Sequence, residues 1–296
     1  MGPDGRLEFD ADHDPAAAVR LQQLGSRDPS LRTEARGFWR AANTPQGPVC
    51  VRVRSSGVKI VAESWGEGTQ WALDRVPAVC GASDEPWSDR VQPAWLDALV
   101  QRHANLRLGR ALRLPDLLWC VILQQRVRGA QAVDNWVALI RKVSRLAPGP
   151  RGLWLPPTGE ALRSLRLADY AALGIDAKRA RTLRECALHV MKLDRVAQGS
   201  LEEARGFLPK LRGIGKWTTG LMLACGLGDP DAVQLGDYHL PNEVVFAFTG
   251  RRRGTDEEML TLLEPYRGHR HRVVRLVTSF GPRRPRGGPR LTPTAL

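Results

Sequence analysis

Between Val49 and Val53 the apolar residues Val49, Val51 and Val53 alternate with Cys50, Arg52 and Arg54. After Ser55-Ser56-Gly57, Val58, Ile60 and Ala62 alternate with Lys59, Val61 and Glu63. A period of two predicts an antiparallel hairpin with one buried face. The Trp65-Gly66-Glu67-Gly68 step ends it, and QWALDRVPAV predicts a short helix stopped at Pro77. From about residue 93 the period lengthens. Val133, Trp136, Val137, Ile140 and Val143 share one helical face, as do Ala180, Leu183, Ala187 and Val190, and again Ala204, Phe207, Leu208 and Leu211. APGPRG (147–152) and PPTG (156–159) punctuate these helices as loops.

The ends carry no such pattern. Residues 1–46 are charged and aperiodic and are expected to be partly ordered. Beyond Phe280 there is no apolar face, so 282–296 is expected to be a basic disordered tail. The plan is therefore a partly ordered segment 1–46, a small α/β domain 47–92, a helical core 93–281 and the tail. No internal repeat is found.

Composition narrows the function. The 296 residues suffice for a substantial core, and a formal charge of +13 favours a polyanionic partner. Eleven of the arginines, against four acids, fall within residues 250–296. No apolar run approaches the ~20 residues of a membrane span, and MGPDGRLEFDADHD has no apolar signal region, so no membrane partner and a cytoplasmic location are expected. The five cysteines (50, 80, 120, 186 and 225) are too widely spaced for a zinc or iron–sulfur ligand pair. They read as reduced core thiols.

The chemistry concentrates in LRGIGKWTTGLMLACGLGDPDAVQLGDYHL, residues 211–240. A helix ending near Leu211, a turn at Gly213-Ile214-Gly215 and a new helix from Lys216 predict a helix-hairpin-helix. Glycine lets the backbone approach a ligand closely, and the first N–H groups of the new helix lack internal partners and carry the positive end of its dipole. With Lys216 alongside, a phosphodiester suits this anion site. A plain inter-helix turn is the alternative.

LRGIGKWTTGLML followed by GDPDAVQLGDYHLPN resembles the helix-hairpin-helix DNA glycosylase superfamily, specifically its AlkA-like 3-methyladenine DNA glycosylase II branch. LLWCVILQQRV and LGIDAKRARTLRECA resemble the helices upstream of the family's hairpin, and TPQGPVCVRVR through ALDRVPAVCG more loosely resembles its small α/β domain. Together these span roughly residues 44–281. The resemblance implies a mostly α, two-lobed glycosylase fold with a small N-terminal antiparallel α/β domain. It implies an enzyme of base excision repair acting as a monomer on double-stranded DNA and hydrolysing the N-glycosidic bond of a base swung out of the duplex. The location would be cytoplasmic, at the nucleoid.

The same resemblance distributes roles. Asp237 would be catalytic; otherwise it reads as a helix cap or surface acid. Trp217, Leu221, Tyr238, His239 and Gln124 would line the base pocket, although Trp217 also reads as a core aromatic. Gln125 would be the wedge that fills the gap left by the flipped nucleotide, with an exposed helix-end amide as the alternative. Arg212, Gly213, Ile214, Gly215, Lys216 and Thr218 would meet the DNA backbone. The carbonyls of Pro209, Leu211 and Ile214 would hold a monovalent cation, Na+ or K+, and no other cofactor is expected. Bifunctional members carry a nucleophilic lysine where this chain has Trp217, which implies no strand-cutting step. Lys216 sits one residue early, about 100° around the helix.

Three features complete the expectations. Arg212 replaces the family's hairpin proline. Leu221 and Thr278 stand where AlkA-like enzymes place further aromatics, which puts the alkylated-base preference in doubt. Arg267, His269, Arg270, His271 and Arg272 read either as DNA contacts or as a solvated charged face. A non-catalytic DNA-binding or damage-sensing protein, and a glycosylase for an uncharged deaminated or oxidised base, remain as alternatives.

Overall fold

The computed structural model describes residues 2–284. Five antiparallel strands, β1 (Gly5–Asp10), β2 (Leu31–Glu34), β3 (Gly37–Thr44), β4 (Gly47–Ser56) and β5 (Lys59–Trp65), form one sheet in the order β1-β5-β4-β3-β2. The hairpin read from the alternation is β4–β5, with Val53 opposite Ala62 and Ser55 opposite Ile60. Val49, Val51, Val53, Ile60 and Ala62 are buried with Phe38 and Val19. Val58 instead lies in the turn and is 69% exposed, because Gly57 at φ +68 reverses the chain just before it. On the other face Trp39 stacks on Trp65 with ring centroids 5.4 Å apart, and Ala147, Leu153 and Leu155 cover Cys50 and Ala41.

The main correction concerns residues 1–46, expected to be partly ordered. They supply three of the five strands. β3 is buried on both faces along nearly its whole length, so it shows no alternation to read. β1 is an edge strand whose Leu7 and Phe9 are only partly buried against the sheet core.

Helices α1 (Pro15–Val19), α2 (Thr69–Leu73) and α3 (Val76–Val79) cover the sheet through Val19, Trp71, Leu73, Val76 and Val79. The single helix expected to stop at Pro77 is thus two. Pro77 lies in the first turn of the second, where a missing N–H costs no hydrogen bond. Two further apolar cores hold the remaining helices. The larger contains α5 (Leu114–Leu123), α6 (Gly129–Val143), α7 (Gly159–Ser164), α8 (Leu167–Ala172), α9 (Ala177–Cys186), α10 (Val190–Val196), α11 (Leu201–Phe207) and α12 (Lys216–Leu221). Every residue of α5 is buried, which explains its unbroken apolar run. The smaller core joins α4 (Ala94–Arg102), α13 (Leu240–Thr249), α14 (Asp256–Leu263) and α15 (Arg270–Phe280) around Trp87, Leu240, Met259 and Val273.

A buried ionic group ties sheet to helices. Arg113 makes a bidentate contact with Asp194 of α10 (3.1 and 2.9 Å) and lies 3.6 Å from Asp116 of α5. Burial pushes the Asp116 carboxyl up to about 6, against the opposing pull of Arg113 and of Arg40 on β3. The expected tail, 282–296, lies outside the described residues from 285 onward. No helix among the described residues is long and apolar enough to cross a membrane.

Candidate active site

The hairpin forms as its residues dictate. After α11 a short 3-10 turn, Leu208–Lys210, carries the chain to Leu211, whose carbonyl accepts the Ile214 N–H at 3.0 Å. Leu208, Leu211 and Ile214 are buried in the larger helical core and anchor the turn. Gly213 has φ +89, and a Cβ there would lie 2.2 Å from the Thr182 hydroxyl, so only glycine fits. Gly215 caps α12 with extended backbone and no side chain, and Arg212, Gly213, Gly215 and Lys216 are exposed around it. Unpaired N–H groups at a helix start, flanked by two cations, form a surface complementary to a phosphate.

Asp237 comes back to this helix after a loop. Its Oδ2 accepts the indole Nε1–H of Trp217 at 2.8 Å, while Oδ1 accepts the N–H groups of His239 (2.7 Å) and Leu240 (2.8 Å). The carboxylate therefore caps the start of α13 and meets the hairpin helix at once. Gly220 makes the approach possible: a Cβ there would lie 2.5 Å from the Val233 carbonyl oxygen and 3.0 Å from Gln234 Cα. Trp217 packs on the larger helical core, whereas Val233 and Leu235 pack on the smaller one. The Trp217–Asp237 bond thus joins the two cores at the hairpin.

Other expected site residues are placed differently. Thr218 is buried, and its hydroxyl is engaged by Gln125 Nε2 at 3.0 Å, so its side chain is turned into the protein. Gln125, expected as a free wedge, also donates to the Gly213 carbonyl at 3.1 Å. It is a strut between the end of α5 and the hairpin. Gln124 is half-buried and turns its amide back to the Cys120 carbonyl of its own helix. Tyr238 is 84% exposed and stands edge-on to the exposed His239 ring. Leu221 is half-buried beside Trp217 on the larger core, and Thr278 is exposed on α15. Pro209, Leu211 and Ile214, expected to hold a cation through their carbonyls, all lie in the hairpin segment, with Pro209 exposed and Leu211 and Ile214 buried. The Leu211 carbonyl already accepts the Ile214 N–H, and an sp2 oxygen has a second lone pair besides.

The arginine-histidine cluster is the clearest reassignment. Arg270 forms a bidentate pair with Asp231, Arg272 pairs with Asp84, and Arg267 pairs with Glu264. His269 stacks on Trp87 with centroids 4.8 Å apart. Burial and the nearby Arg275 and Arg272 push His271 down to about 3. Arg270, Arg272 and His269 hold α15 against the body of the protein, whereas the Arg267 pair is local and exposed; the apolar pattern around them carried no sign of these partners. The five cysteines are buried and unbridged, and burial raises Cys50 and Cys186 to about 12. Among the described residues no cluster of His, Cys, Asp or Glu could hold a metal ion. Sequence reasoning passed over Asn242 and Asp256, whose side chains hold the backbone on either side of Asp237. The only signal for Asp256 was its place in TDEE, which reads as a helix start.

No family model matches the chain. Over 185 residues it is 25% identical to the "putative DNA-3-methyladenine glycosylase YfjP" of Bacillus subtilis (strain 168), a match covering 60% of this chain and 63% of that protein. The structure superposes on a 3-methyladenine DNA glycosylase from Archaeoglobus fulgidus with TM-score 0.73 and 19% identity, covering 92% of this chain and 97% of the other. It superposes on the apo form of the Clostridium acetobutylicum 8-oxoguanine glycosylase/lyase with TM-score 0.67 and 12% identity, covering 94% and 99%. The chain is thus a homologue of the Bacillus protein and carries the fold of the helix-hairpin-helix DNA glycosylases.

Proposed function

We propose that this protein is a monofunctional DNA glycosylase of the AlkA-like kind, which releases an alkylated base from double-stranded DNA in base excision repair. The observation that carries the proposal is the Asp237 carboxylate, bonded at 2.8 Å to Trp217 beside an exposed hairpin turn. The homologue's description as a putative 3-methyladenine glycosylase supports the alkylated class. A neighbour in fold solved with double-stranded DNA supports the partner. The +13 charge agrees with both.

In this reading the hairpin N–H groups, with Arg212 and Lys216, hold a phosphate beside the flipped nucleotide. A cation at the Pro209, Leu211 and Ile214 carbonyls would add to that grip. The C1′–N bond breaks with its electron pair leaving on the base. Asp237 stabilises the positive charge that develops on the sugar, and water then adds at C1′ and loses a proton. One carboxylate suffices when the base is already cationic, because such a leaving group needs no general acid. Strand cutting would need an amine at C1′. Trp217 occupies the nucleophile's position and Lys216 is exposed at the hairpin tip, which favours hydrolysis alone. The protein would act as a monomer on the cytoplasmic nucleoid.

The test is mass-spectrometric detection of bases released from methylated genomic DNA. Wild type is expected to release methylpurines, and Asp237→Asn to bind DNA and release none. Asp237→Asn with full activity would overturn the assignment. A covalent adduct trapped by borohydride would overturn the monofunctional part.

A further inference from the structure

Asp237 is oriented by more than Trp217. Gly236, just before it, has φ +78, and its N–H donates to Asp256 Oδ2 at 2.7 Å, twenty residues on. On the other flank the Tyr238 carbonyl accepts Asn242 Nδ2 at 2.8 Å, and Asn242 Oδ1 accepts the Gly254 N–H at 3.1 Å. The first tie ends on the opening residue of α14, and the second on Gly254, two residues earlier in the connection from α13. One turn therefore grips the backbone on both sides of the carboxylate.

Asp256 is an expensive residue for a helix start. Its Oδ1 is buried and has no hydrogen-bond partner among the described residues, and a buried acceptor left unpaired is destabilising. Helix α14 does not need it as a cap. Thr255 and Glu258 already form a reciprocal capping box, with the Glu258 N–H on the Thr255 hydroxyl (3.2 Å) and the Thr255 N–H on Glu258 Oε2 (2.9 Å). What Asp256 alone supplies is an acceptor for Gly236.

We propose that Asp256 is a positioning residue for Asp237, acting through the Gly236 N–H, with Asn242 completing the clamp. It touches no substrate. By holding Gly236 in the left-handed region it sets the direction in which the chain delivers the next side chain, and so aims Asp237 Oδ2 at Trp217 Nε1. Its kinetic consequence rests on the glycosylase reading, whereas its geometric consequence does not.

The experiment compares Asp256→Ala, Asp256→Asn and Thr255→Ala with wild type. Three quantities are measured: the single-turnover rate of base release, the affinity for an abasic-analogue duplex, and hydrogen exchange of the Trp217 indole N–H by NMR. Asp256→Ala is expected to slow release roughly 10- to 100-fold, the penalty of a misplaced reacting group, with DNA affinity little changed and faster indole exchange. Asp256→Asn, whose amide oxygen can accept the Gly236 N–H, is expected to recover most of the rate. Thr255→Ala, which loses the α14 cap but keeps the Gly236 bond, is expected to melt earlier and leave rate and exchange near wild type. Equal effects of Asp256→Ala and Thr255→Ala would reduce Asp256 to a stabiliser of α14 and overturn the proposal. Wild-type indole exchange in Asp256→Ala would do the same. If wild type itself releases no base, the glycosylase reading fails, and indole exchange alone still decides the clamp.

Discussion

Replacing Gly220 by alanine sets two well-measured effects against each other at a single position. Gly220 lies within α12 with ordinary helical backbone, so helix propensity alone favours alanine by about 1 kcal/mol. The new methyl, however, would meet the Val233 carbonyl oxygen at 2.5 Å, and Val233 C and Gln234 Cα each at 3.0 Å. The first contact is about 1 Å inside ordinary van der Waals separation, and all three atoms are backbone, which cannot swing aside as a side-chain tip does. Overpacking of this kind costs roughly 1–3 kcal/mol, so Gly220→Ala should lose about 0–2 kcal/mol net. The larger effect falls on the site. A loop pushed back by about 1 Å stretches the Trp217–Asp237 bond beyond hydrogen-bonding range and should cost about 100-fold in base release. Gly206 in α11 is the control: it is exposed and nothing lies within 4 Å of its added Cβ, so Gly206→Ala should gain about 1 kcal/mol. Urea denaturation and single-turnover assays of both variants decide the matter. If Gly220→Ala gains stability as Gly206→Ala does and keeps its rate, the close approach of α12 to the 233–237 loop does not position Asp237.

Trp217→Phe keeps the ring but removes the donor to Asp237; losing a bond to a charged acceptor, about 1.5–3 kcal/mol, should slow base release roughly 10- to 100-fold at unchanged DNA affinity. Arg272→Ala removes the ion-pair partner of the largely buried Asp84 side chain, which keeps only the Leu108 N–H, and should cost up to about 3 kcal/mol of stability, whereas Lys216→Ala should leave stability alone and lower the salt slope of DNA binding by about one phosphate. The opposite pattern in denaturation and salt titration would restore α15 as a DNA face. The Asp116 carboxyl is raised in the fold from 3.8 to about 6, so the stability it contributes is complete below about pH 4 and is lost as pH rises through 6. Wild type should therefore lose on the order of 3 kcal/mol relative to Asp116→Asn between pH 4 and pH 7, and a pH-independent difference in denaturation midpoints would show that burial does not perturb this group.

Legibility followed the range of the interactions. The β4–β5 hairpin and the faces of α6 and α9 were readable because period-two and period-3.6 patterns are local consequences of one-sided burial. β3, buried on both sides, offered no period, while β1, in which Leu7 and Phe9 alternate with Arg6, Glu8 and Asp10, is an edge strand whose six-residue alternation was passed over, so residues 1–46 read as only partly ordered. Pro77 was read as a stop because a proline that ends one helix and a proline that opens the next leave the same letter in the chain. Arg270 and Arg272 read as either DNA contacts or a solvated charged face because their partners, Asp231 and Asp84, are 39 and 188 residues away.

By itself the sequence determined the hairpin turn, through a glycine demanded at φ +89, and the identities of the carboxylate and the tryptophan beside it. Its cysteine spacing offered no thiolate ligand pair of the zinc or iron–sulfur kind. Only the tertiary structure decided that Trp217 donates to Asp237, that Gln125 and Thr218 brace the hairpin rather than face outward, and that Asp256 reaches back to Gly236. Each of these is a hydrogen bond between segments 20 or more residues apart, and the first depends on how two separately packed helical cores meet. No local periodicity encodes that meeting, because it is set by the summed packing of both cores and by the single missing side chain at Gly220 that lets them close.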